Sequence, residues 1–336
     1  MQLDVSFDIS STRDIPAQAQ AAEALGFDTI WVPETSHDPF LALMLAAEHT
    51  RTVRLGTAIA VAFPRSPMVL AHTAWDLQAF SDGRLMLGLG TQVKGHIERR
   101  FGLKWESPAA KLREVVLALR AIWDCWQTGT PLRFRGTFYN FTLMTPFFNP
   151  GAVSHPRIPI FISAVNKRMC QLVGEVCDGI HIHPLHSTRY LTEVVLPNIA
   201  AGAAGAGRSP SEVQRSALAF VALGRTADEI ASMREAVRSQ IAFYASTPAY
   251  RPVLALHGWA DVGERLSAKA AHGQWDQMPA EVPDALLDAC CVSGHYTEIA
   301  GRLKEKYQGL ADRVTPYLPF DREMYYWEEI ARGFGS

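Results

Sequence analysis

The sequence predicts a closed α/β barrel of eight parallel strands, and three observations predict it. Short apolar strands alternate with helices along nearly the whole chain, the arrangement that yields parallel strands joined by right-handed crossovers. The strands are apolar on both faces. In Val53–Val61, for example, Val53, Leu55, Ile59 and Val61 alternate with Ala58 and Ala60, as expected of a strand covered on both sides. The strands also run into loops rich in Gly, Thr, Gln and Lys, as at Gly88–Gly95, and an α/β barrel places its chemistry at such strand ends. No G-x-G-x-x-G follows the first strand, so the dinucleotide fingerprint of an open doubly wound sheet is missing. No internal repeat at a fixed spacing is present either.

Taken in order, Leu3–Ile9 alternates and reads as the first strand, and Ile15–Leu25 reads as a helix stopped by Gly26 in a left-handed cap. Thr29–Val32 is the second strand; it ends in the polar loop Pro33–Pro39, after which Phe40–Thr50 is helical. Val53–Val61 is the third strand. Ser66 and Pro67 start a helix, since serine caps and proline tolerates the first helical position. That helix ends at Ser81-Asp82-Gly83, and Arg84–Gly88 is the fourth strand. Gly95–Glu106 is polar and irregular, an insertion over the barrel mouth. Ser107-Pro108 opens a helix in which Leu112, Val115, Val116, Leu119, Ile122, Trp123 and Trp126 form a core-facing stripe that ends at Gly129.

Leu132–Thr142 reads as a small hairpin around Arg135-Gly136, and Pro146–Pro159 as a proline-rich loop. Pro159–Ser163 is strand five, Asn166–Glu175 helix, Asp178–His183 strand six, and Ser187–Ala206 helix. Gln214–Leu223 is strand seven, followed by a helix capped by Thr226 that runs to Ala245. Thr247–Val282 mixes Gly, Pro and short helical pieces. Leu286–Ser293 holds a helix end and a short buried strand at the adjacent Cys290 and Cys291. His295–Gln308 is helical, Arg313–Leu318 is the eighth strand, and MYYWEEIARGF at the end of the chain is a docked helix. The reading is one domain over residues 1–336.

Composition narrows the function. Apolar residues make up 48% and charged residues 20% of the chain, ordinary for a globular domain. A net charge of −2 offers no electrostatic case for nucleic acid or an anionic membrane. The N-terminus lacks the basic region and apolar run of a signal peptide, and no window suits a bilayer span; the expected location is the cytoplasm. The five cysteines are scattered and form no C-x-x-C, which argues against a disulfide framework and for buried packing.

Four stretches carry a resemblance: GTAIAVAFPRSP at Gly56–Pro67, SDGRLMLGLGTQVKG at Ser81–Gly95, ALGFDTIWVPETSHDPF at Ala24–Phe40, and CDGI at Cys177–Ile180. Together they are similar to the bacterial luciferase-like proteins, and TQVKGHIERRFG at Thr91–Gly102 resembles their F420-dependent oxidoreductase branch. The resemblance implies a TIM (β/α)8 barrel with insertions at the C-terminal face of the strands. It also implies FMN or the deazaflavin coenzyme F420, a small-molecule substrate and a homodimer.

Candidate site residues follow. Ser163-Ala164-Val165-Asn166-Lys167-Arg168 joins a strand to a helix start; free N–H groups and the helix dipole there favour an anion, and Lys167 and Arg168 add positive charge. The alternative is a solvated loop. The resemblance places the cofactor phosphate on Ala164, Val165 and Asn166, where many relatives have Gly-Gly in place of Val165-Asn166. His37 lies beside Glu34, Ser36 and Asp38 in a polar loop past strand two, where an imidazole can exchange a proton near neutral pH; the alternative is a surface histidine. By the resemblance, deazaflavin-using relatives often carry histidine there, near the reactive ring carbon.

Asp8, at the end of strand one, is a second acid candidate. Thr91, Gln92 and His96 follow strand four and suit hydrogen bonds to a flavin-like ring or its polyol. Some sugar-phosphate dehydrogenases of the family have glutamate where Val93 stands, so that substrate is disfavoured. His181 and His183 share a strand face. With His186 they raise the alternative of a metal-dependent hydrolase, but no carboxylate set accompanies them, and a polar pocket wall with His183 at its rim is the preferred reading. By resemblance Thr57, Ala58 and Ile59 pass under the cofactor ring, with a non-proline cis peptide expected at Ala58–Ile59. The function read from all this is hydride transfer to or from C5 of F420. An FMN-dependent monooxygenase, a metal hydrolase and a non-catalytic cofactor-binding protein stand as alternatives.

Overall fold

The computed structural model describes residues 1–318 and 324–335. Eight strands follow one another as β1 (Gln2–Ser6), β2 (Thr29–Val32), β3 (Arg54–Thr57), β4 (Leu85–Gly90), β5 (Ile160–Ala164), β6 (Gly179–Ile182), β7 (Gln214–Gly224) and β8 (Arg313–Tyr317). Each pairs in parallel with the next, and β8 pairs back with β1, so the sheet closes into the expected TIM barrel. A further parallel strand, Cys291–His295, runs beside the C-terminal half of β7, where the sequence around Cys290 and Cys291 suggested a buried strand.

The crossover helices are α1 (Ile15–Ala24), α2 (Pro39–His49), α3 (Pro67–Phe80), α4 (Pro108–Thr128), α5 (Lys167–Val176), α6 (Leu196–Gly205), α7 (Ala227–Ala245) and α8 (Ile299–Tyr307), with α9 (Met324–Gly335) at the C-terminal end. Their starts follow local chemistry. Asp38 accepts the Phe40 amide at 2.8 Å, Ser66 the Met68 amide at 3.3 Å, Asn166 the Met169 amide at 3.1 Å and Thr226 the Glu229 amide at 3.2 Å, each satisfying a donor that the helix leaves free. Ser107 behaves differently: it precedes α4 in the left-handed region with φ 40° and its side chain makes no cap. Gly26 and Gly129 adopt the left-handed geometry that ends a helix.

Several boundaries differ from the sequence reading. Strand three is interrupted: β3 stops at Thr57 and pairing resumes only at Ala60–Val61. The interruption is the Ala58–Ile59 peptide, which is cis as expected. Gly95–Glu106 is partly ordered as the short helix Lys94–Arg99, and Thr247–Val282 contains the helices Arg251–Leu256 and Ala260–Ala271. The helix expected from His295 begins at Ile299, because Gly294 and His295 are drawn into the ladder beside β7. Among the described residues no helix is long and apolar enough to cross a membrane.

Strand alternation builds two interiors. Residues such as Leu55, Leu87, Ile162 and Val314 pack outward into the helix layer and belong to the same apolar core as the α4 stripe with Trp123 and Trp126. Trp31, Met86 and Phe161 point inward and plug the barrel. Beside this plug lies an ion pair removed from water, with Asp4 and Arg313 no more than 1% exposed. Arg313 donates to both Asp4 oxygens, from Nε at 2.7 Å and Nη2 at 3.0 Å, and Trp31 Nε1 donates to Asp4 at 2.8 Å.

Candidate active site

Above the plug, at the C-terminal ends of the strands, is a cavity of about 270 Å³. All eight strands or the residues just past them reach it: Ser6, Trp31, Ala58 and Ile59, Thr91 to Val93, Ser163 and Val165, His181 and His183, Ser216 and Leu218, and Thr315. Ala249 and Tyr250 close one side from the Thr247–Val282 insertion, and Asn166 and Met169 bring the start of α5 to its edge. No Asp, Glu, Lys or Arg is among the described residues that line it. Two glycines make the space. A Cβ on Gly88 would stand 2.5 Å from His181 Nε2, and one on Gly90 would stand 2.7 Å from Ile59 and 2.9 Å from the Ser163 hydroxyl. A larger residue at either of these two positions would push these walls aside.

The histidines are governed by burial. His181 packs edge-on against Trp31 with ring centroids 4.6 Å apart, and His183 stacks on Tyr250 at 4.2 Å and meets Tyr244 edge-on at 4.6 Å. Burial pulls His181 down to about 3, with the Arg313 charge acting in the same direction, and pulls His183 down to about 3, with His186 adding to it. Both imidazoles are therefore neutral hydrogen-bonding walls at pH 7, too weakly basic to take a proton there. His186 does not join them. Its Nδ1 meets the His183 carbonyl at 2.7 Å and its Nε2 the Tyr307 hydroxyl at 2.9 Å. Among the described residues no group of three His, Cys, Asp or Glu is placed to hold a metal ion.

These shifts set a pH dependence. His186 is also drawn down to about 3 by burial, whereas in the unfolded chain each imidazole titrates near 6.5. Between those values the unfolded state binds protons that the native state refuses, so stability falls as pH drops from about 6.5 towards 3. Each histidine contributes about 1.4 kcal/mol per pH unit in that window. Urea titrations at pH 6 and pH 5 check this: His183→Asn is expected to flatten the slope by about that amount, and an unchanged slope would remove His183 from the account.

The structure sorts the sequence candidates. Ala58, Ile59, Thr91, Gln92, Ser163, Val165, Asn166 and His183 come together around the cavity. Thr57 does not; it is fully buried, with its hydroxyl accepting from the Gly88 amide at 2.9 Å and donating to the Gly88 carbonyl at 2.6 Å. Ala164 points outward into the helix layer. Both support the wall instead of lining it, since alternation turns them away from their inward neighbours. His96 is exposed on the Lys94–Arg99 helix, Lys167 is exposed on the first turn of α5, and Asp8 is exposed past the end of β1; none of the three lines the cavity.

Ser36 and His37 also stay outside the wall, exposed on the β2–α2 loop. That loop is held firmly. The Glu34 carboxylate accepts the Val61 amide at 2.7 Å and Arg65 at 2.6 Å, Arg65 reaches Asp38 at 2.9 Å, and Arg100 donates to the Thr35 carbonyl at 2.8 Å. His37 thus has no side-chain hydrogen bond or ion pair among the described residues and sits on a fixed loop at the strand-end face. Trp31, Ser216, Thr315 and Tyr250 are wall residues that sequence reading missed. For the first three the inward parity of strands two, seven and eight was the available signal; for Tyr250, carried by an irregular insertion, none existed.

A family model described as luciferase-like monooxygenase matches residues 5–313. The chain belongs to this luciferase-like family. It is 48% identical to an uncharacterized protein of Mycobacterium tuberculosis over 93% of each chain. It is 30% identical to the 5,10-methylenetetrahydromethanopterin reductase of Archaeoglobus fulgidus, over 84% of this chain and 83% of that one. The coenzyme F420 dependent tetrahydromethanopterin reductase of Methanopyrus kandleri shares the fold, with a TM-score of 0.81 and 20% identity over 99% of this chain and 97% of that one. The luciferase-like barrel read from Gly56–Pro67 and Ser81–Gly95 is thereby established.

Proposed function

We propose that this luciferase-like protein is an F420-dependent oxidoreductase that transfers a hydride between C5 of the deazaflavin and a small organic substrate. The observation that carries the reading is a charge-free cavity at the strand ends that runs to the N-terminus of α5. The cavity suits a neutral ring, because burying an unpaired charge there would cost several kcal/mol. The N-terminus of α5 suits a phosphate. Asn166 caps Met169, the Asn166 amide has no acceptor among the described residues, and the Lys167 and Arg168 amides are first-turn donors that a helix leaves free. The name of the 30%-identical archaeal relative, a reductase, supports reduction as the reaction class.

In this reading the cofactor supplies the hydride chemistry. Ala58 and Ile59 would form the surface under the ring and Thr91, Gln92 and Ser163 would offer hydrogen bonds along its edge; His183, whose Nδ1 accepts the Leu185 amide at 3.2 Å, would present its Nε2–H as a neutral donor from another wall. His37 gives or takes the coupled proton from the fixed loop at the mouth. His181 and His183 are excluded from that task by their low proton affinity.

The family model is described as a monooxygenase, and this favours one second reading, reduced FMN activating oxygen in the same cavity. A fluorescence titration of the purified protein with F420 and with FMN separates the two. Saturable F420 binding at least tenfold tighter than FMN is the expected outcome; the reverse order would replace the proposal with the monooxygenase.

A further inference from the structure

Val165 and Asn166 form the bend between β5 and α5. The Val165 carbonyl does not face the cavity edge. It accepts the Tyr190 hydroxyl at 2.9 Å, and the Cys170 thiol lies against it at 3.8 Å. Tyr190 is 2% exposed and comes from the segment after β6, outside the cavity lining. In a planar trans peptide the C=O and the following N–H point in opposite directions. A carbonyl drawn inward by Tyr190 therefore turns the Asn166 N–H outward, and that amide has no acceptor among the described residues.

Tyr190 itself is fixed at both ends. Its amide donates to the Ser187 hydroxyl at 3.0 Å, and Ser187 meets His257 Nε2 at 2.7 Å. His257 belongs to the same insertion that brings Tyr250 to the cavity. On the other side, a π-helical turn at Leu191–Val195 follows Tyr190 directly and leads into α6, and α6 grips α5 partly through a Gln171–Asn198 hydrogen bond of 3.3 Å. Such turns frequently occur at functional sites. The hydroxyl is buried and satisfied, and burial pushes it up to about 12, so it remains a donor throughout the working pH range.

We infer that Tyr190 is a positioning residue: its hydroxyl sets the rotation of the Val165–Asn166 peptide so that the Asn166 amide joins the free amides of α5 in holding the anionic part of the ligand. This rests on the proposed reading of α5 as the cofactor phosphate site. Two side chains thus converge on one peptide unit. Tyr190 and Cys170 hold its carbonyl, while Val165 and Asn166 present its outer side to the cavity.

The test compares ligands with and without phosphate on the intact protein. F420 and FMN carry one; the deazaflavin bearing only its ribityl chain, and riboflavin, do not. Tyr190→Phe keeps the ring and removes only the hydroxyl. For whichever phosphorylated cofactor the wild type binds, the variant is expected to raise Kd about three- to tenfold, the scale of one lost hydrogen bond. Its Kd for the phosphate-free counterpart should stay within about twofold on the same reasoning. A modest fall in melting temperature without ligand is expected from the Val165 carbonyl left without its donor, and it does not bear on the difference between the two ligands. Equal weakening of both ligands, or of neither, would overturn the positioning role while leaving the proposed function standing. A wild type that binds neither phosphorylated cofactor would overturn both.

If Tyr190→Phe does not fold, amide hydrogen exchange in the wild type asks the same question. Protection of the Asn166 N–H by the phosphorylated cofactor, but not by its phosphate-free counterpart, is the expected result. Equal exchange with the two would overturn the inference.

Discussion

Replacing Asp4 with alanine is expected to lower the unfolding free energy by about 3–5 kcal/mol, because it strands a buried guanidinium. Arg313 is 1% exposed and spends two of its donors on Asp4. It also reaches the Thr29 hydroxyl at 2.8 Å and the Met86 sulfur at 3.5 Å and lies over the Trp31 ring, 5.7 Å from its centroid, and none of these groups carries a compensating charge. Burial pushes the Asp4 carboxyl up while Arg313 pulls it down, so the pair is held by mutual need and neither partner is stable there alone. Asp4 also anchors the Trp31 indole at 2.8 Å, and Trp31 is the floor of the cavity. The variant should therefore lose ligand affinity together with stability. Urea unfolding followed by circular dichroism measures the loss; a change below about 1 kcal/mol, the scale of an exposed pair, would show that the interior is wetter than its closure implies.

His37→Ala is expected to leave the fold and cofactor affinity intact and to lower turnover by about 10²–10⁴, the range for a lost proton-transfer group. The loop keeps its shape in the variant because Glu34, Asp38 and Thr35, not His37, tie it to Arg65 and Arg100. The measurement is steady-state turnover with the cofactor established by titration, beside its Kd. A kcat within about threefold of the wild type, well short of the range for a lost proton-transfer group, would move the proton step elsewhere. A rise in Kd with kcat unchanged would make His37 a binding residue.

Much of this molecule is legible in its sequence. The strand–helix alternation, Gly26 and Gly129 as helix stops, and Ser66, Asn166 and Thr226 at helix starts are decided within a few residues of sequence, so local pattern reads them correctly. Family likeness at Gly56–Pro67 placed the cis peptide at Ala58–Ile59, which propensity alone would have made trans. Thr57 and Ala164, which the resemblance also assigned to the cofactor site, have neighbours that face the cavity while their own side chains face away.

What only the tertiary structure decided depends on closure. Asp4 and Arg313 lie at opposite ends of the chain, and nothing near either one predicts the other; they meet because β8 pairs with β1. Closure also put Ser6, Ser216 and Thr315 into one wall and brought Tyr250 over it from an insertion without a readable pattern. It set the chemistry of the histidines as well: sequence shows that His181 and His183 share a face, but their neutrality comes from burial among Trp31, Phe161, Tyr244 and Tyr250. The aim of the Val165–Asn166 peptide is of the same kind, because it is set by a hydroxyl 25 residues further along the chain. Short-range patterns specify which elements form, whereas charge state and peptide orientation depend on what the closed barrel packs around each group.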